Sequence, residues 1–412
     1  MVLKSSLIGM GLFCCASVAS AVTIHVPDGD VEALKAAIEQ ANETPELLTT
    51  IELAANGHYV LSEALPTMRG VVEFRGNSAT LDGAGVATGA PLNVLSVAGG
   101  DPLSPVAQVR ISQVHVTGLD TNNISDHQVL GGYLVGISLA DVLITDSSFT
   151  DNHLASTATA RQGFFPTTVI EVFHGPNTHV VLRNVTISGN VAESFNEQEG
   201  VAISNNGGAV RIENSTIVNN SSMEPHDGDG TVAIFTARGD FTGSGSGPIT
   251  GETVISNSII ANNTLNNCFV RVNGPPIATG SLGHNIDSDG SCGFDGPGDL
   301  SNIDPKLSDL SDDAIPVHHL LPGSPALDAG DNARCPVTDA QGRLRPADGD
   351  GDGTASCDIG AVEEPAADGN GPGLARLAEG LQRLLLRPGP RRPLRHHSAR
   401  TRRRYPGDLE HL

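Results

Sequence analysis

The residues best suited to chemistry sit in one acidic stretch, "ADGDGDGTASCD", residues 347 to 358. Asp348, Asp350 and Asp352, followed by Gly353, follow the first half of an acidic calcium loop, D-x-D-x-D-G. In such a loop alternate carboxylates converge on a hard cation because glycines let the backbone wrap tightly. The twelfth position, which should supply a bidentate Glu, is Ile359, so this is not an EF-hand. Asp358, or a carbonyl near Thr354, has to complete the shell. The expected cofactor is Ca²⁺ and the expected ligands are Asp348, Asp350, Asp352 and Asp358. The alternative is a solvated acidic turn. Carboxylates held this close repel one another, which makes a pinned loop a better metal site than a free one. A looser cluster, Asp287, Asp289 and Asp295, lies near Cys292.

Other chemistry is thinner. Arg110 and Arg211 share one position in a repeated phrase and face outward, where an arginine can act on an acidic sugar. A lyase would also need two or three carboxylates to hold calcium, and a hydrolase a carboxylate pair. The next outward positions hold Ser112 and Glu213, and only one of them is acidic. Solvated face residues are the simpler reading. His284 lacks an adjacent aspartate pair and reads as a turn histidine. His318 and His319 precede an apolar run without Cys or Glu at ligand spacing. No Ser-His-Asp order, phosphate loop or C-x-x-C motif can be defended. Aromatic residues are 3% with no Trp, which disfavours a ring-stacking lectin platform.

The elements that would position these groups repeat. The phrase around Gln113, "VRISQVHVTGL", recurs around Asp146, Asn184, Asn214 and Asn257, at spacings of 33, 38, 30 and 43 residues. Two positions before each anchor stand Ile111, Ile144, Leu182, Ile212 and Ile255; three after stand Val116, Phe149, Ile187, Ile217 and Ile260. The period-two alternation slips by one at the anchor, which marks a corner between two strands. Asn and Asp tolerate the left-handed backbone that a tight corner needs. Stacked corners are expected to form a side-chain ladder of Gln113, Asp146, Asn184, Asn214 and Asn257. A second polar column follows six residues later, at Asn152, Asn190, Asn220 and Asn263, and Leu119 breaks it. The expected fold is therefore all-β: a right-handed parallel β-helix solenoid, since each phrase buries too little alone. An antiparallel sandwich gives no reason for corners in constant register. The variable spacing implies loops near 121–135, 153–170, 221–250 and 270–283. "DGDVEALKAAIEQANETP" predicts an N-terminal capping helix, with Val31, Leu34, Ile38 and Ala41 on one face, Asp30 as its cap and Pro45 as its end.

Residues 1–21 read as a signal peptide, with Lys4, an apolar run too short to span a bilayer, and Ala19-Ser20-Ala21 as the cleavage site. The chain is expected to be secreted or at the cell surface, as a monomer without a transmembrane segment. Export leaves Cys268, Cys292, Cys335 and Cys357, which favour disulfides. Four cysteines allow three connectivities. Pairing of sequence neighbours, Cys268 with Cys292 and Cys335 with Cys357, closes two Gly- and Asp-rich loops, each worth about 3 kcal/mol.

The net charge of −23 divides unevenly. Residues 370–412 hold ten arginines and three acids, so the rest has 24 − 10 = 14 basic and 47 − 3 = 44 acidic residues, a net −30. Such a body repels nucleic acid and anionic membrane. The tail, 364–412, reads as disordered or as an out-of-frame stretch of a GC-rich gene.

The run from Leu320 to Glu363, "LLPGSPALDAGDNARCPVTDAQGRLRPADGDGDGTASCDIGAVE", resembles the ending of bacterial exported parallel β-helix proteins of the choice-of-anchor Q class. "SLGHNIDSDGSCGFDGPGDLSNIDPKL" and "LKAAIEQAN" resemble other parts of those proteins. The resemblance covers roughly 22–363 and implies a pectate-lyase-like β-helix, displayed or released, without an assigned activity. The class takes its name from members ending in surface-sorting signals, and none follows Glu363 here. The expected function is a non-catalytic surface or matrix interaction protein, with extracellular polysaccharide or cell-surface components as partners. The alternative is a polysaccharide lyase or hydrolase acting along the exposed sheet.

Overall fold

A computed structural model describes residues 21–85, 93–99, 106–120, 132–155, 167–173, 177–193, 200–222, 232–239, 249–264, 266–272 and 279–365. The signal segment, apart from Ala21, and the tail beyond Pro365 lie outside them.

Alternating apolar residues place strands on a common core, and the strands stack in parallel. The first sheet runs Val22–Val26, Thr49–Leu53, Val71–Asp82, Ala107–Thr117, Ala140–Thr150 and His179–Ser188. It continues through two shorter tracks, one beginning with Ala209–Glu213 and the other with Thr216–Val218, and ends at Leu300–Ser301. Its register aligns Ile111, Ile144, Leu182, Ile212 and Ile255, the alignment that the repeated phrase predicts. All five are buried. The chain is thus a parallel β-solenoid.

The sequence reading missed a second sheet. Asn93–Ala98, Gly132–Ser138, Thr167–Val172, Gly200–Asn205, Val232–Gly239 and Asn266–Arg271 pair in parallel. Val232–Gly239 falls wholly, and Gly132–Ser138, Thr167–Val172 and Asn266–Arg271 fall in part, where loops were expected. The physical reason is burial on both faces: every residue of Thr167–Val172 and Gly200–Asn205 is buried, so no polar alternation marks them. A third, narrow sheet joins His153–Ala155, Val191–Glu193 and Ser221–Ser222. The parts of the expected loops between these strands lie outside the described residues.

The helix Val31–Glu43 buries Leu34, Ala37, Ile38 and Ala41 in the main core, and Asp30 Oδ1 accepts from Ala33 N at 2.9 Å. It supplies the apolar cover that the first coil lacks.

The five anchors have φ between 47° and 54°. Their side chains do not form a continuous ladder. Asn184 Nδ2 donates to Asp146 Oδ1 at 2.8 Å, but also to the carbonyl of Thr338. Asn257 Nδ2 donates to the Asp331 carbonyl, and its Oδ1 accepts from Asp331 N. Neither amide atom of the buried Asn214 has a partner among the described residues. The corner column is covered because the chain, having left the stack after Ser301, folds back along it.

That returning segment packs Val317, Leu320, Ala326, Ala340, Ile359, Ala361 and Val362 against Val218, Ile259, Ala261 and Ile286 on the outside of the coils. Ser188 Oγ meets His318 Nε2 at 2.7 Å, and Ala361 N donates to Thr216 Oγ1 at 3.0 Å. Arg345 and Glu363 form an ion pair at 3.1 Å with side chains 0% and 1% exposed. Cys335 and Cys357 pair within the same segment, and Cys268 pairs with Cys292 at the second sheet.

The second polar column is the continuous ladder. Asn152 Nδ2 donates to Asn190 Oδ1 at 2.9 Å, Asn190 to Asn220 at 2.9 Å, and Asn220 to Asn263 at 3.0 Å. Asn263 passes the series to Asn267, and Asn267 to Asp287 Oδ1. Where Leu119 interrupts the column, its backbone N–H still donates to Asn152 Oδ1.

One titration follows from this packing. Burial holds the His115 imidazole down at about 4, with Nε2 against Thr150 Oγ1. An unfolded histidine titrates near 6.5, so the unfolded chain takes the proton first as pH falls. Stability from this residue is present above about pH 6.5, declines to pH 4 and is level below. Asp358, raised by burial to about 7, acts in the opposite sense: its contribution declines as pH rises from about 4 to 7. In His115→Gln the melting temperature should therefore gain on the wild type between pH 7 and pH 5. A wild-type-minus-variant difference that ignores pH over that range would refute the assignment.

Candidate functional site: the outer sheet face and the acidic loop

Alternation sends every second residue of the first sheet into solvent. One outward column reads Glu73, Arg110, Leu143, Val181 and Arg211, and its neighbour reads Gln108, Asp141 and His179. Gln108, Arg110, Asp141, Leu143, His179 and Val181 line a shallow groove of about 330 Å³. His179 Nδ1 lies 2.6 Å from Asp141 Oδ1, which orients the imidazole and leaves Nε2 facing outward chemistry. Leu143 and Val181 are half-buried and give the groove an apolar floor.

The arginines of this face differ in their partners. Arg75 pairs with Glu73 at 2.9 Å, and Arg183 with Glu213 at 2.8 Å. Arg211 reaches the same Glu213 only at 3.8 Å. Arg110 has no ion-pair partner among the described residues. The sequence singled out Arg110 and Arg211 by register. The His179–Asp141 pair escaped it, because the two residues are 38 apart and only stacking brings them together.

The acidic loop brings together a different set of carboxylates from the expected one. Carboxylate oxygens of Asp328, Asp348 and Asp350 lie within 4.8 Å of one another and together could hold a metal ion. Asp352 is not in that group; its Oδ1 caps Thr354 N at 2.8 Å. Asp358 is fully buried and turned inward, accepting from Asp328 N at 2.8 Å and Glu364 N at 2.7 Å. Its role is to hold the Asp328 backbone. Asp348 receives Gly351 N and Gly353 N, while Asp328 receives Asp350 N and Ser356 N. Those backbone donors fix the carboxylates in place; Asp350 is exposed and presents an oxygen outward.

The looser cluster is committed elsewhere. Both Asp287 oxygens accept from protein donors, Asn267 Nδ2 and Cys292 N, each at 2.8 Å, and the carboxyl is buried and shifted upward by desolvation. His284 Nδ1 lies 2.7 Å from the Ala329 carbonyl, a structural contact with the returning segment. His318 is buried against Ser188 with its other nitrogen on the Ser308 carbonyl, and desolvation lowers its pKa. His319 pairs with Glu364 at 2.8 Å.

Among the described residues no helix is long and apolar enough to cross a membrane, and the two cysteine pairs are compatible with an oxidising compartment. Comparison with protein-family models, with curated proteins and with solved structures finds no match.

Proposed function

We propose that this chain is an exported right-handed parallel β-helix of the choice-of-anchor Q kind, acting as a non-catalytic surface or matrix interaction protein. It meets its partner, an extracellular polysaccharide or a cell-surface component, through the outer face of the first sheet. The observation that carries this reading is the groove. It offers one carboxylate, Asp141, already engaged with His179, where a calcium-dependent lyase needs two or three that converge with a base. The carboxylates that do converge belong to the acidic loop of the C-terminal segment.

A second reading has one observation in its favour. An imidazole oriented by a carboxylate, with its second nitrogen outward, is the arrangement of a general base. Incubating the purified protein with alginate, pectate and chondroitin, and reading unsaturated product by absorbance, separates the two. Retention of the protein on a glycan without product supports an interaction protein; turnover on any of them makes it an enzyme.

The acidic loop is assigned to Ca²⁺, since an all-oxygen, carboxylate-rich set suits a hard cation. Binding to the folded state alone adds its free energy to folding. Millimolar Ca²⁺ should raise the melting temperature by roughly 2–4 °C per kcal/mol of binding free energy. Asp350→Ala should abolish the gain and Asp352→Ala should keep it. A melting curve indifferent to both Ca²⁺ and chelator leaves the loop as a turn.

A further inference from the structure

The body of this protein is strongly acidic, with 14 basic residues against 44 acidic ones up to residue 369. Four of those basic residues, Arg75, Arg110, Arg183 and Arg211, nevertheless share the outer face of adjacent strands. Two are neutralised by close partners; Arg110 has no ion-pair partner among the described residues, and Arg211 is left with a distant share of an occupied Glu213. Arg110 and Arg211 stand in one column, separated by Leu143 and Val181. Three rungs at 4.7–4.9 Å each set them about 14 Å apart along the stacking axis.

We infer that this column is a binding site for an extended polyanionic glycan lying along the stacking axis, its anionic groups held by Arg110 and Arg211. This rests on the interaction reading given above and names the ligand class. The half-buried Leu143 and Val181 supply an apolar floor for the carbon faces of sugar rings. Gln108 and His179 Nε2 form a hydrogen-bonding rail on one side. Guanidinium groups bind carboxylate and sulfate in fork geometry, so both kinds of anionic group fit. The acidic remainder of the body repels a polyanion that strays from this face, which fixes where it can lie.

Binding of polygalacturonate, dextran sulfate and neutral dextran to the full chain, followed by isothermal titration calorimetry at low ionic strength, tests the site. The wild type should bind one or both polyanions and not neutral dextran. Carboxylate and sulfate preference are read from the two polyanion arms. Arg110→Ala and Arg211→Ala should each weaken binding about ten-fold, and the pair together about a hundred-fold. Arg334→Ala makes the same charge change elsewhere and should leave affinity unaltered. Far-UV circular dichroism confirms that the variants are folded. If the double variant binds as tightly as the wild type, the site assignment falls while the interaction reading stands. If the wild type prefers neutral dextran, or binds no polyanion, the polyanion assignment falls. Appearance of unsaturated product with intact dependence on Arg110 would instead sink the non-catalytic reading and leave the site in place.

Discussion

Asn190→Ala should lower the unfolding free energy by about 3–5 kcal/mol, an exceptional loss for one side chain. Asn190 is fully buried, and its amide serves three acceptors: Asn220 Oδ1 at 2.9 Å, the Phe149 carbonyl at 2.9 Å and the Ser188 carbonyl at 3.2 Å. Its Oδ1 in turn receives both the backbone and side-chain donors of Asn152. Alanine breaks the column and takes away the acceptor of the Asn152 backbone N–H, while Asn152 Nδ2 keeps the Val116 and Thr150 carbonyls and Asn220 Oδ1 keeps the Asn190 N–H; each lost buried bond costs about 1–3 kcal/mol before relaxation. Asn190→Asp keeps the shape but replaces the donor with an acceptor, and should be worse still at neutral pH. Urea unfolding followed by far-UV circular dichroism measures both. Midpoints that coincide with the wild type would mean that the column is ornamental and that apolar stacking alone fixes the coils.

The second large effect is expected at the returning segment. Arg345 donates to Glu363 Oε2 and to the carbonyls of Asp358 and Gly360, and no part of its side chain reaches solvent. Asp339, Asp358 and Asp146 also feel its charge. Removing one partner of a buried pair strands the other, at about 3–5 kcal/mol. Arg345→Met strands the Glu363 carboxyl together with the backbone carbonyls of Asp358 and Gly360, and because the carboxyl ionises as pH rises the loss should grow with pH. Limited proteolysis should then cut between residues 306 and 364 faster than in the wild type, and more so at pH 8 than at pH 6. Unchanged cleavage at both pH values would show that the apolar contacts of Val317, Ile359 and Val362 suffice.

The sequence exposed whatever repeats locally. Val109 and Val142, or Ile111 and Ile144, could be aligned from spacing because one face of each strand is wet and the other dry. Thr167–Val172 could not, because both of its faces are dry and the alternation vanishes. The corner residues were located by type, yet what their side chains touch was hidden: Asn184 meets Thr338, 154 residues away. The acidic loop shows the same limit. Asp348 and Asp350 are legible as a motif, whereas Asp328 joins them across a turn of the returning segment and Asp358, next to Cys357, turns away. Local chemistry was readable, and contacts made by refolding the chain on itself were not.

The asparagine ladder also has a direction. From Asn152 to Asn263 each Nδ2 gives one hydrogen to the next side-chain oxygen on the C-terminal side and one to a carbonyl of the preceding coil, while the Oδ1 atoms of Asn152, Asn190, Asn220 and Asn263 accept from the N-terminal side. Aligned amides add their dipoles, as peptide units do along a helix. The row therefore carries partial positive charge where its last donor emerges, and Asp287, a buried carboxylate, receives that donor. At the other end the backbone N–H of Leu119 meets the exposed negative pole. The stack is thus electrically polarised along its length, with a plus end capped by an anion and a minus end capped by a peptide donor. A coil spliced in backwards would face its neighbours pole to like pole.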